Sequence, residues 1–97
     1  MLDKRLKSRR FAREVLIEAM EDDDPHVLMM AIRDVMRAQG MSVEQVAQDA
    51  GLNAKSLLRA LNGERSPNFA TARAILNAIG YALSISHRKT KRKVAAG

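Results

Sequence analysis

Apolar residues recur along most of this chain at intervals of three and four, the period of helices that bury one face. Phe11, Ala12, Val15, Leu16, Ala19 and Met20 form the first such stripe and predict an amphipathic helix over 11–20. The run Glu21 to Asp24 stops it, and Asp24-Pro25 reads as an N-cap followed by proline at the first helical position. A second helix follows, with Leu28, Ala31, Ile32, Val35 and Met36 inward and Gly40 at its end. Ser42 opens a third, with Gln45 in the capping-box position three residues on and Val43, Val46, Ala47 and Ala50 as the buried stripe. Gly51 suits a left-handed turn, Leu52 plugs the core, and Asn53 caps a fourth helix running to Leu61. After Asn62-Gly63 and a loop, Asn68 caps a fifth helix whose inner face is Phe69, Ala72, Ile75, Leu76 and Ile79, with Gly80 terminating it.

Beyond Gly80 the period shortens to two. Tyr81, Leu83 and Ile85 alternate with Ala82, Ser84 and Ser86, which predicts one short strand. A lone strand leaves its amides unpaired, so the segment either pairs with a second copy of the chain, making a homodimer, or lies as an extended tail on the bundle. Residues 87–97 have no apolar period and are expected to be disordered. The fold class is thus all-α, a bundle of about five helices with one short C-terminal strand. Its divisions are a basic tail over 1–10, a domain over 11–86 and a basic tail over 87–97.

Composition narrows the function. Ninety-seven residues support one modest core, and the 46% hydrophobic content includes only Phe11, Phe69 and Tyr81 as aromatics, so aliphatic residues and Met must build it. With no cysteine there are no disulfides or thiolate metal sites. No stretch is apolar enough for a leader or a membrane span, which points to the cytoplasm. The net charge of +6 is concentrated at the ends: Lys4, Arg5, Lys7, Arg9, Arg10 and Arg13 at one, Arg88, Lys89, Lys91, Arg92 and Lys93 at the other. Such tails either track phosphate or are solvated ends. His26 and His87 lack the partners of a catalytic base, and the Glu21 to Asp24 cluster lacks the oxygen spacing of a calcium loop. Neither an enzyme nor a cofactor is expected.

The third and fourth helices carry the specific pattern. Small Ala47 permits close crossing, Gly51 tolerates the corner and Leu57 fills the angle between the helices, the steric requirements of a helix-turn-helix over 42–62. With the second of these helices in the major groove of double-stranded DNA, Ala54, Lys55, Leu58 and Arg59 project towards base edges. Arg59 is the expected reader of guanine, Lys55 a point donor to base or phosphate, and Ala54 or Leu58 a contact for a thymine methyl. Gln45, Asn53, Asn62 and Arg65, at helix ends and in the loop, face the phosphate backbone, and for Asn53 and Asn62 capping alone is an equal reading. Because Lys55, Arg59 and Arg65 are balanced by Glu44, Asp49 and Glu64, one module has little phosphate affinity, which favours binding as a dimer.

Ser42 to Gly63 resembles the lambda-repressor-like, Xre-type helix-turn-helix. The wider stretch from about Phe11 to Ser86 is similar to the addiction-module antidote proteins, the HigA-like antitoxins. Ala19-Met20-Glu21-Asp22 with Asp24-Pro25, Ala31 to Val35, Gly51-Leu52, Ser56 to Leu61, Pro67 to Thr71 and Ile75 to Gly80 carry it. The chain departs from that pattern in a longer first motif helix and in Leu58, where a tyrosine is common. The resemblance implies a RelE/HigB-like ribonuclease toxin as partner and repression of the chain's own operon. Two other functions fit the residues: a prophage-type regulator without a toxin, and a protein-interaction adaptor that kept the fold.

Overall fold

Every helix begins where a short polar side chain can accept amides left over at its start. In the structure, a computed structural model describing residues 4–83, Ser8 caps α1 (Arg9–Met20), Asp24 caps α2 (Pro25–Ala38) and Ser42 caps α3 (Val43–Ala50). Asn53 caps α4 (Ala54–Leu61) and Asn68 caps α5 (Phe69–Ala78). Each such cap stabilises its helix by about 1 kcal/mol. The capping box at Ser42 is half formed: its hydroxyl accepts from the Gln45 amide at 3.1 Å, but the Gln45 side chain donates to Asp49 instead of returning to the cap.

The five helices share one core. Helix α1 packs on α2, α3 packs on both α4 and α5, and α2 joins the two halves through α4. Among the described residues, Met29, Ile32, Val35, Val46, Leu57, Leu61, Ile75 and Ile79 are the largest fully buried side chains. Two expected inward residues differ. Phe69 is 70% exposed because it is the first residue of α5, ahead of the turn whose stripe meets the core, and Met20, at the end of α1, is 42% exposed. Of the neighbouring methionines, Met29 is buried and Met30 exposed.

Two further corrections concern the ends. The basic run expected as a tail over 1–10 is structured from Lys4: Lys4–Lys7 form a 3-10 turn, Leu6 is buried, and α1 starts at Arg9. Of the two readings of 81–86, a strand or an extended tail on the bundle, the strand is not seen at 81–83, where Tyr81 and Leu83 pack on the core as the second reading has it, while residues 84–86 and the 87–97 tail lie outside the described residues. The reason is a set of side-chain contacts that a period of two does not encode. Gln39 donates to the Leu6 carbonyl at 3.0 Å and to the Tyr81 hydroxyl at 3.2 Å; Arg9 donates to the Gly80 carbonyl at 2.7 Å and stacks over the Tyr81 ring. Among the described residues no helix is long and apolar enough to cross a membrane.

Gly63, just after α4, has φ +80 and lies against the imidazole ring of His26, so a methyl there would meet both a strained backbone and an occupied space. Gly63→Ala is expected to lower stability by about 1–3 kcal/mol, read from the urea midpoint. His26→Ala in the same chain should recover the steric part only; full recovery would mean that the positive φ costs nothing.

Candidate nucleic-acid interface

Helices α3 and α4 are eight residues each and are separated only by Gly51, Leu52 and Asn53. The corner is closed by backbone geometry. Gly51 takes φ 72, which lets the Leu52 amide reach back to the Ala47 carbonyl at 2.8 Å, and Asn53 Oδ1 then accepts from the amides of Lys55 and Ser56 at 2.8 and 3.3 Å. Val46 and Ala47 of α3 join Leu57, Ala60 and Leu61 of α4 in the buried cluster. With 57, 60 and 61 inward, the spacing leaves Lys55, Leu58, Arg59 and Asn62 exposed along one outer face.

That face does not treat all the expected residues alike. Lys55 and Leu58 are exposed, and Leu58 is a large apolar side chain left outside the core. Arg59 is exposed too, with its Nε 3.9 Å from Glu64 Oε1; both side chains are mostly in solvent, so the pair is worth little and leaves the guanidinium able to swing away. Ala54 is partly buried and packs against the core, so it does not project with the others. Arg65 is exposed in the loop, beside a hollow it lines with Ser56, Asn68 and Thr71. Gln45 is exposed on α3, its amide held by Asp49 at 3.1 Å.

The two asparagines have their oxygens occupied: Asn53 as a cap, Asn62 by the Arg33 guanidinium at 3.2 Å. What each can offer outward is its NH2 group. Together with Lys55, Arg59 and Arg65, the face therefore presents donors, and it suits a ligand rich in acceptors such as phosphate oxygens or the O6 and N7 of guanine.

Arg33 was not anticipated in this role. From α2 it reaches across to the C-terminal cap of α4, and its Nε is buried with no hydrogen-bond partner. An arginine next to Ile32, at the edge of the apolar stripe of α2, was the available signal. Arg73 on α5 is a further exposed cation, which with Lys55, Arg59 and Arg65 exceeds Glu44, Asp49 and Glu64 by one. Among the described residues no group of three His, Asp or Glu side chains could hold a metal ion.

A family model described as probable addiction module antidote protein matches residues 2–87. An uncharacterized protein of Haemophilus influenzae is 31% identical over 74 residues, which is 76% of this chain and 74% of that protein. No solved structure matches the chain.

Proposed function

The chain belongs to the family of probable addiction module antidote proteins, and from that premise we propose that it is the antitoxin of a toxin-antitoxin pair that also represses its own operon by binding DNA. The observation that carries the DNA half is the outer face of α4, where Lys55, Leu58 and Arg59 stand exposed on a helix set off from α3 by a three-residue corner; we read this pair as a helix-turn-helix of the Xre kind. In this reading Arg59 meets base edges, Lys55 a base edge or a phosphate, Leu58 a thymine methyl, and Asn53, Asn62, Arg65 and Gln45 the phosphates. Ala54 serves as packing at the helix start and contributes at most its backbone amide. A homodimer supplies the second half-site and the phosphate contacts one module lacks. The family supports the antidote half, and the proposed partner is a RelE/HigB-like ribonuclease toxin.

Co-expression with the product of the adjacent gene tests the antidote half. Expression of that product alone should arrest growth, expression with this chain should restore it, and the two should co-purify. An adjacent product that is harmless and does not bind would contradict the antitoxin reading and leave a plain regulator.

A further inference from the structure

Residues 4–24 carry six basic side chains followed by six acidic ones, with no mixing. Lys4, Arg5, Lys7, Arg9, Arg10 and Arg13 come first, then Glu14, Glu18, Glu21 and Asp22 to Asp24. All twelve are exposed. The order runs against the dipole of α1: cations gather at its positive N-terminal end and carboxylates at its negative C-terminal end, the unfavourable arrangement at both. Local structure accounts for some of them, since Asp22 to Asp24 front the start of α2 and Arg9 binds the Gly80 carbonyl. It does not account for Arg10, Arg13, Glu14 and Glu18.

The same outward face of α1 has an apolar centre. Ile17 is 45% exposed and Met20 42%. Arg10, Arg13, Ile17, Met20 and Glu21 follow the three-and-four spacing of one ridge, and this ridge borders a cleft of about 760 Å³ whose other wall includes Leu76 and Leu83.

We infer that this ridge is the seat of a second copy of the chain, docked antiparallel across a two-fold axis near Ile17. Such an axis lays Ile17 on Ile17 of the second copy, a contact made once, and sets Arg13 against its Glu21, a contact made twice. It also opposes the two helix dipoles, so that the cationic end of each α1 lies beside the anionic end of the other. The occupant follows from charge. A uniformly basic or acidic partner would be repelled by half of the ridge, whereas this order of charges is its own complement when reversed. The inference rests on the proposed dimeric DNA binding only for its use, to set two α4 faces for two half-sites.

Sedimentation equilibrium on the full chain without DNA tests it. The wild type should dimerise, and Ile17→Lys should weaken the dimer roughly 30-fold or more, since it places a buried charge at the centre of the interface. Arg13→Glu and Glu21→Arg should each weaken it roughly tenfold. The double reversal should restore it, because both symmetric pairs are then re-formed. Circular dichroism should show the same helix content throughout. A monomer up to about 100 µM, a dimer indifferent to Ile17→Lys, or a double reversal no better than the singles would each overturn the interface. Loss of specific DNA binding by a chain that still dimerises through Ile17 would instead count against the repressor reading alone.

Discussion

Replacing Arg59 and Lys55 together by alanine is expected to remove sequence-specific DNA recognition while leaving the protein folded. Both side chains are exposed on the outer face of α4, so their loss opens no cavity. The contact of Arg59 with Glu64, at 3.9 Å and mostly in solvent, contributes at most about 1 kcal/mol to stability. Against DNA the same residue matters more. A guanidinium bidentate to one guanine is worth about 1–3 kcal/mol of discrimination, and losing it should relax specificity at a single base position. Lys55 as a phosphate contact should instead lower affinity for all sequences and reduce the salt slope by about one. Fluorescence anisotropy with matched and scrambled duplexes, beside thermal melts of the free protein, separates these effects. Unchanged affinity in the double variant would favour an adaptor that kept the fold.

The largest expected effect on stability is that of Leu57→Ala. Leu57 is 1% exposed and belongs to the buried cluster shared by α3, α4 and α5. Truncation there removes transfer energy and leaves a cavity in the angle between the two short helices, for a loss of about 2–5 kcal/mol. A domain this small has a total of about 5–15 kcal/mol, so the variant should be partly unfolded at room temperature or melt far below the wild type. Urea unfolding reads the loss directly. A change below about 1 kcal/mol would mean that α4 is not anchored on α3 through this residue, and the exposed face of α4 would lose its fixed orientation.

Local rules made the helix boundaries legible in the sequence. Asp24, Ser42, Asn53 and Asn68 cap the helices they were expected to cap, and Gly51 takes the left-handed turn expected of it, because each is decided by a few neighbouring atoms. What stayed hidden depends on partners distant in sequence. Leu6 is one apolar residue in a basic run, and its burial follows from α1, α2 and the Gln39 amide that holds its carbonyl. The alternation of Tyr81 and Leu83 fits a strand and an extended tail on the bundle alike, and what decides for the tail at these residues is distant in sequence: Gln39 fixes Tyr81 and Arg9 stacks over its ring.

The candidate site was legible in part for the same reason. The spacing of Lys55, Leu58, Arg59 and Asn62 is set by one helix and could be read directly. Ala54 shares their sequence neighbourhood but turns to the core, a distinction that depends on which residues α4 packs against. Arg33 could not be assigned to Asn62 without knowing that α2 lies against α4.

Sequence-specific binding by the outer face of α4 is tested by titrating the full chain into its own upstream DNA and into a scrambled duplex at two salt concentrations. Tighter binding to the native duplex that persists at the higher salt is the predicted result, because base contacts survive where counterion release weakens. Equal affinities that fall together with salt would contradict it, leaving a protein whose basic residues hold any DNA through phosphate alone.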